Sequence, residues 1–304
     1  MTDDAHDLGT DSSKSVPERL GPYRLQELLG QGASGSVYAA VDDAGQHVAV
    51  KVLDGDAHCV SWPEALSALN KRAHPGLARV LAVFAEHVPP FFAMELHQGP
   101  SLLDWARADA AGCIRAQAYA SSAMLLLGGD MKERGETEFA SCGQEGFRRV
   151  RQATLDVAAA LGHIHELGVV HCDVRPDNIC VHDEHAVLLD YGLCRVIGAA
   201  VESSAPVGTA AYMAPEQWNA ATLAPAVDYY ALGVTLFEAL TGALPFSGSA
   251  GEVFVRKRSV GAPAPSLFIP DVPEDLDALC VDLMRSSPEH RPHSEEIRER
   301  LSSA

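Results

Sequence analysis

Apolar and polar residues alternate over short stretches in the first part of the chain, and glycines interrupt them. This period-two pattern predicts three consecutive antiparallel strands over residues 23–30, 36–43 and 47–53. Residues 42–45, Asp-Asp-Ala-Gly, suit a hairpin turn between the second and third strands. The chain therefore begins its folded part with a small β-sheet.

Beyond this sheet the apolar spacing becomes mainly helical. It predicts an amphipathic helix over 62–71 and another over 147–167. Residues 228–240 are apolar on nearly all sides, which predicts a helix buried in a large core. Two amphipathic helices follow at 275–284 and 294–301. A β-rich part followed by a larger helical part predicts an α+β fold with two lobes.

The boundaries of these parts follow from changes in composition. Residues 1–21 are acidic and polar and are predicted to form a disordered tail. Short apolar runs extend the β-rich lobe to about residue 96, so that the N-lobe covers about 22–96 and the C-lobe about 97–304. Residues 108–146 are predicted to be an insertion, with a short helix over 116–127 and a charged loop after it.

The formal net charge of −18 excludes several classes of partner. Nucleic acids and anionic membranes bind clustered cations, so neither is expected as the main partner. No apolar run reaches the length of a membrane-spanning helix, and the N-terminus lacks the pattern of a secretory signal. The seven cysteines are scattered and never spaced CxxC, which favours reduced thiols in a cytoplasmic protein.

A glycine-rich segment, residues 30–37 with the pattern GxGxxGxV, lies between the first two predicted strands. Glycines allow backbone amides to approach phosphate oxygens closely. In dinucleotide-binding folds such a loop leads into a helix, whereas residues 36–41 are predicted to be a strand. From this segment alone, a plain glycine hairpin stays an open alternative to a phosphate-binding loop.

Lys51 ends the third predicted strand, whose other residues are mostly apolar. Burying an ammonium group is costly unless an anionic partner lies beside it. A phosphate group and the carboxylate of Glu64, on the following helix, are both suitable partners.

Residues 171–178, His-Cys-Asp-Val-Arg-Pro-Asp-Asn, carry the densest set of reactive groups. Asp173 could accept a proton from an attacking hydroxyl, and Asn178 could bind Mg²⁺ through its amide oxygen. Asp190, after an apolar strand-like run, offers a further oxygen ligand. Taken singly, each of these residues is more commonly a turn or capping residue.

The order of these motifs resembles that of the eukaryotic-like protein kinases, most closely the bacterial Ser/Thr branch. The glycine-rich loop, VAVK ending at Lys51, HxDxxxxN at 171–178 and DYG starting at Asp190 are followed by GTxxYMAPE at 208–216. The similarity continues to Asp228 and Arg291 and covers almost the whole chain. It implies a protein kinase domain over 22–304 with the bilobal kinase fold.

The resemblance implies an enzyme that transfers the γ-phosphate of ATP, with Mg²⁺ or Mn²⁺, to a Ser or Thr hydroxyl of a protein. Lys51 would hold the phosphates, Asn178 and Asp190 would bind the metal, and Asp173 would orient the acceptor hydroxyl. Thr209 favours Ser/Thr over Tyr as the acceptor. The other residues implied in nucleotide binding belong to the glycine-rich loop, the adenine pocket and the hinge: Gly30, Gly32, Ala33, Ser34, Gly35, Val37, Ala49, Glu64, Glu95, His97 and Cys180.

In the C-lobe, the resemblance implies a buried ion pair between Glu216 and Arg291. It also implies that Asp228 accepts hydrogen bonds from the backbone of the catalytic loop. His163 and His165, two apart on a helix, cannot share a metal and are expected to be packing or surface residues.

Several residues depart from the family pattern. Cys172 replaces an arginine, and Arg175 replaces the usual lysine that contacts the γ-phosphate, keeping its charge but not its shape. Tyr191 replaces a phenylalanine, and Glu64 lies closer to Lys51 than usual. These departures keep a second hypothesis open: a pseudokinase that binds nucleotide and serves as a scaffold without transferring phosphate.

Overall fold

The N-terminal part of the chain forms a six-stranded antiparallel sheet with the order β1-β2-β3-β4-β6-β5. The computed structural model describes residues 18–32, 34–54, 62–108, 115–116, 139–198, 210–219 and 223–302. The strands of the sheet are β1 (Arg19–Leu20), β2 (Tyr23–Gly32), β3 (Gly35–Val41), β4 (His47–Leu53), β5 (Val80–Phe84) and β6 (Phe91–Glu95). The three predicted strands correspond to β2, β3 and β4, so that prediction is confirmed.

The end of β3 and the course of β4 follow from local chemistry. Asp42 accepts hydrogen bonds from the amides of Ala44 and Gln46, which turns the chain two residues before the predicted end of the strand. In β4, Val48 and Val50 pack into one apolar cluster, whereas Ala49 and Leu53 pack into the main core. The strand is buried on both faces and therefore lies in the interior of the sheet.

Helix α1 (Trp62–Leu69) packs against this sheet. Its buried side chains include Trp62, which lies 6.4 Å from the ring of Phe92, and Leu66. The helix ends two residues earlier than the apolar spacing predicts, and its buried face consists of apolar residues.

The C-terminal part is mainly helical. Helix α3 is amphipathic, and α4 is buried on nearly all sides, as its sequence predicts. The helices after α1 are α2 (Leu102–Ala106), α3 (Gly143–Glu166), α4 (Ala226–Thr241), α5 (Ala250–Ser259), α6 (Glu274–Leu283) and α7 (Ser294–Ser302). The predicted α+β fold, with a curled sheet followed by a helical part, is confirmed.

Short strand pairs position the loops between α3 and α4. They are β7 (Arg115–Ala116) with β8 (Phe139–Ala140), β9 (Val169–Val170) with β12 (Arg195–Val196), and β10 (Ile179–His182) with β11 (His185–Leu188). The loop between β9 and β10 and the loop after β11 both face the sheet. These loops carry the chemistry-bearing motifs.

Two elements extend a few residues past the approximate boundaries that the sequence predicts. The tail was expected to reach residue 21, but Arg19–Leu20 form β1 and Leu20 is buried in the sheet. The insertion was expected to reach residue 146, but residues 143–146 are the first turn of α3. The predicted helix at 116–127 lies almost wholly outside the described residues.

Among the helices in the described ranges, none combines the length and the apolar character needed to cross a membrane.

Candidate active site

The loop of residues 171–178, which carries the HxDxxxxN motif and is named the catalytic loop below, is anchored by a single buried carboxylate. Asp228, in the first turn of α4, accepts hydrogen bonds of 2.8 Å from the backbone amides of His171 and Cys172. Cys172 has a φ of +67°, a left-handed conformation that a cysteine rarely adopts, and these bonds hold it there. The prediction that Asp228 accepts backbone hydrogen bonds from this loop is confirmed.

His165, expected from the sequence to be a packing or surface residue, completes this anchor. His165, on α3, contacts the Asp228 carboxylate through Nε2 at 2.8 Å. Burial alone would raise the pKa of Asp228, but the hydrogen bond and charge of His165 hold it below its usual value. Helical periodicity places His165 on α3 but does not reveal which distant carboxylate it meets.

Asp173 and Asn178 form a rigid pair beside this anchor. The Asn178 side-chain amide donates 2.8 Å hydrogen bonds to both the backbone carbonyl and the carboxylate of Asp173. Burial, and then the nearby carboxylate of Asp190, raise the pKa of Asp173. A raised pKa makes Asp173 a better proton acceptor than an ordinary surface carboxylate.

Lys51 reaches across the cleft to Asp190. Its ammonium group, on β4, is almost completely buried and donates a 2.8 Å hydrogen bond to the Asp190 carboxylate. The other carboxylate oxygen of Asp190 accepts the amide of Gly192 at 3.1 Å. Asp190 itself has a φ of +59°, so its carboxylate is held by a constrained backbone.

These groups open into a cleft of about 920 Å³ between the sheet and the helical part. Predicted site residues that line it are Gly30, Gly32, Ser34, Gly35, Val37, Ala49, Lys51, Glu95, His97, Asp173, Arg175, Asn178 and Asp190. Two further predicted positions, Ala33 and Thr209, lie outside the described residues.

The glycine-rich loop needs glycine at one position for a steric reason. Gly35 has a φ of +126°, and a Cβ atom built there would lie 2.0 Å from the carbonyl oxygen of Val52. A Cβ atom on Gly30 or Gly32 would meet nothing within 4 Å. These two positions therefore leave the cleft side of the loop open for a ligand.

The predicted contact between Glu64 and Lys51 is not present. Glu64 is exposed on α1 and makes no ion pair with Lys51, because Trp62 and Leu66 turn the apolar face of this helix toward the core. Cys180, predicted to belong to the adenine pocket, is buried with its side chain near Gly99, and its role there stays a prediction. Leu189 lines the cleft.

Comparison with known proteins agrees with this arrangement of motifs. Residues 23–301 match the family described as the protein kinase domain. The chain belongs to the protein kinase family. It is 30% identical over 294 residues to the probable serine/threonine-protein kinase PkwA of Thermomonospora curvata. The aligned region covers 94% of this chain and 34% of that protein.

Two further relatives are bacterial serine/threonine-protein kinases. PknB of Bifidobacterium longum, named a probable serine/threonine-protein kinase, is 27% identical over 92% of this chain and 39% of its own length. PknA of Mycobacterium tuberculosis is 30% identical over 90% of this chain and 59% of its own length. The chain thus spans between about a third and three fifths of these relatives.

The helical part of the chain contains a buried ion pair. Arg291 donates two hydrogen bonds, of 2.5 and 2.9 Å, to the carboxylate of Glu216, and its side chain is fully buried. The predicted pairing of Glu216 with Arg291 is confirmed. It fixes the segment around Glu216, which lies close to the catalytic loop.

Tyr191, in the loop after β11, links this loop to the sheet side. Its hydroxyl donates to the backbone carbonyl of Ala78 at 2.7 Å, and the ring lies edge-on to His171 at 5.7 Å. A phenylalanine could not make this hydrogen bond. The sequence shows the extra hydroxyl of Tyr191 but not the carbonyl that it meets.

The donor set at Asn178 and Asp190 fits a divalent cation that prefers oxygen ligands. The Asn178 amide nitrogen is used by Asp173, which leaves its amide oxygen available to a cation, and both Asn178 and Asp190 line the cleft. One carboxylate and one amide oxygen, with room for water and phosphate, suit a hard cation.

Proposed function

We propose that this chain is an active protein serine/threonine kinase that transfers the γ-phosphate of ATP to a Ser or Thr hydroxyl of a protein. The observation that carries the proposal is the convergence of Lys51, Asp173, Asn178 and Asp190 on one cleft beside a glycine-rich loop. The names of the relatives support Ser/Thr as the acceptor class.

In this mechanism the protein contributes positioning and charge. The open loop at Gly30 and Gly32 covers the phosphates of ATP with backbone amides, and Lys51 neutralises part of their charge. Asp173, held by Asn178 and raised in pKa by burial, accepts the proton of the acceptor hydroxyl.

Asn178 and Asp190 are the residues that would hold Mg²⁺ or Mn²⁺, which when bound neutralises charge on the β- and γ-phosphates. Lys51 lies in hydrogen-bond contact with Asp190, so the two groups together form the charged floor of the phosphate site. Arg175, whose guanidinium lies 5.8 Å over the ring of Tyr212 and contacts Asp177, faces the acceptor side.

The proposal is tested by incubating the purified chain with labelled ATP, Mg²⁺ and a basic protein substrate. We expect phosphate on Ser or Thr, and we expect Asp173→Asn to lower kcat by at least about a thousandfold, or about 4 kcal/mol. Binding of ATP should stay near that of the wild type, because Asp173 acts on the acceptor. Full activity of Asp173→Asn would refute the assigned role.

One observation favours the second candidate, a nucleotide-binding scaffold without transfer. Lys51 is paired with Asp190 and not with Glu64. The cation expected to bind phosphate and the carboxylate expected to bind metal therefore form an ion pair with each other. A scaffold would show a rise in Tm with ATP and Mg²⁺ but no transfer with any basic substrate. An active kinase would show both the rise in Tm and the transfer of phosphate, which separates the two candidates.

A further inference from the structure

Lys257 is a buried cation outside the cleft. It lies in the last turn of α5, and only 2% of its surface is exposed. Its ammonium group donates hydrogen bonds to three backbone carbonyls, those of Ala210 at 3.0 Å, Ala211 at 2.6 Å and Met213 at 2.7 Å. The side chain therefore joins α5 to one short segment of backbone, residues 210–213.

The surroundings of Lys257 differ from those of an ordinary buried ion pair. Within the described residues no carboxylate lies in ion-pair distance of its ammonium. The Glu216 carboxylate favours the charged form of Lys257, but it is bound by Arg291. The ammonium also lies 5.1 Å over the ring of Tyr230, which Arg291 contacts as well. Burial lowers the pKa of Lys257 to about 7, so the position is costly for a cation.

The three carbonyls explain why a cation occupies this position. An ammonium group has three N–H donors and satisfies all three oxygens at once. A neutral amine has two N–H donors, and its lone pair would face the remaining oxygen. Without Lys257 the three oxygens would converge on one point with no donor between them, and the backbone of 210–213 would have to change shape.

Segment 210–213 lies directly beside the catalytic loop. Tyr212 donates a hydrogen bond to Glu238 at 2.5 Å, and its ring lies under the guanidinium of Arg175. Tyr212 and Met213 also share the walls of a small cavity of about 10 Å³ with Asp173. The shape of this segment thus determines the surface next to the proton-accepting carboxylate.

We propose that Lys257 is a positioning residue for the acceptor substrate. Its ammonium holds the backbone of residues 210–213 in the shape that receives a polypeptide acceptor beside Asp173. The inference deepens the proposed function and rests on it. No nucleotide contact is involved, since Lys257 does not line the cleft.

The test compares Lys257→Met, which keeps an unbranched side chain one atom shorter but removes the donors, with Arg258→Met on the same helix. Arg258 is exposed and carries the same charge, so it is a matched control. With an arginine-rich serine peptide, we expect Lys257→Met to raise the KM for peptide at least tenfold. The KM for ATP should stay within twofold, and Arg258→Met should change neither value.

Hydrogen–deuterium exchange provides a second readout that does not depend on activity. Amides of residues 210–217 should exchange faster in Lys257→Met than in Arg258→Met, while those of α3 stay unchanged. Lys257→Gln, which keeps two N–H donors, should give intermediate values of the KM for peptide and of the exchange rate at residues 210–217. It also serves as the test variant if Lys257→Met does not fold.

The outcomes separate this inference from the proposed function. If the wild type transfers no phosphate, the proposed function is wrong, and unchanged exchange at 210–217 would still overturn the role of Lys257. If the wild type is active but Lys257→Met leaves the peptide KM unchanged, the positioning role is wrong. Equal increases in both KM values with a lower Tm would indicate a general structural role and also overturn it.

Discussion

On the helical side of the cleft, Asp228 accepts three hydrogen bonds, from His165 and from the amides of His171 and Cys172. On the sheet side, Lys51 makes one ion pair, and that pair is with a residue of the opposite side, Asp190. The helical side is therefore held in shape by its own buried groups. The sheet side depends on contacts that a nucleotide would add or replace.

The glycine-rich loop shows the same difference between the two sides of the cleft. The last seven residues of β2, from Gln26 to Gly32, are exposed, whereas the catalytic loop rests on the buried start of α4. Substitutions of the anchor groups on the helical side, Asp228 and His165, should thus change stability and activity together. Substitution of Lys51, which lines the cleft on the sheet side, should change activity with little effect on the fold.

The largest expected effect is at Asp190, where the two sides meet. Asp190→Asn should lower kcat by at least about a thousandfold, or about 4 kcal/mol, because the metal-binding charge is lost. Its amide oxygen can still accept the hydrogen bond from Lys51, so the Tm should fall little. Asp190→Ala should also be destabilised by about 1–3 kcal/mol, since it leaves the Lys51 ammonium buried and unpaired.

Steady-state kinetics and thermal unfolding measure these two quantities. Asp183→Asn, an exposed residue also at positive φ, is the matched control and should behave like the wild type. Equal stability of Asp190→Ala and Asp190→Asn would contradict the account of Lys51.

The second prediction concerns the anchor of the helical side. Asp228→Asn should lower the free energy of unfolding at pH 7 by about 2–4 kcal/mol, because an amide cannot accept all three hydrogen bonds. The folded-state pKa of Asp228 is below its ordinary value of 3.8. Its charge therefore adds stability that is present above that value and is lost as the pH falls through the folded-state pKa.

Urea unfolding of the wild type and Asp228→Asn between pH 7 and pH 3 tests this. The difference between the two proteins should be constant down to about pH 4 and shrink below it. Asp271→Asn, an exposed change of the same chemistry, is the control. A difference that grows on acidification would contradict the assigned direction of the pKa shift.

Much of the fold follows from local patterns, and the exceptions have a common cause. Strands β2 to β4 and helix α4 follow the alternation or uniformity of their apolar residues. The apolar spacing does not predict helix α5, because its pattern is inverted at two positions: Val255 is 60% exposed and Lys257 is buried. The partners of Lys257 are carbonyls more than forty residues earlier, which no local spacing can reveal.

The same division applies to the candidate site. The residues of short motifs, such as Asp173 and Asn178, lie in the cleft because a few loops carry them there together. Glu64 does not meet Lys51, because the direction of its side chain is set by how Trp62 packs into the core. A sequence gives the distance between two such residues along the chain but not the rotation of a helix.

The third prediction tests the link between the two sides. Tyr191→Phe removes the hydroxyl that donates to Ala78 and leaves a buried carbonyl without this donor. We expect a loss of about 1–2 kcal/mol in the free energy of unfolding. Tyr38→Phe is the control, since the Tyr38 hydroxyl has no hydrogen bond to any described residue. Equal stability of the two variants would show that the link contributes nothing.

The smallest expected effect is at Glu64, on the sheet side. Because Glu64 is exposed and Lys51 is paired with Asp190, Glu64→Gln should change kcat/KM less than twofold, or about 0.4 kcal/mol. Lys51→Met, measured in the same assay, should remove nearly all activity. A tenfold or greater loss in Glu64→Gln would mean that α1 rotates in the working enzyme and brings Glu64 to Lys51. In that case the sheet side would be rebuilt on nucleotide binding, while the anchor at Asp228 stays as it is.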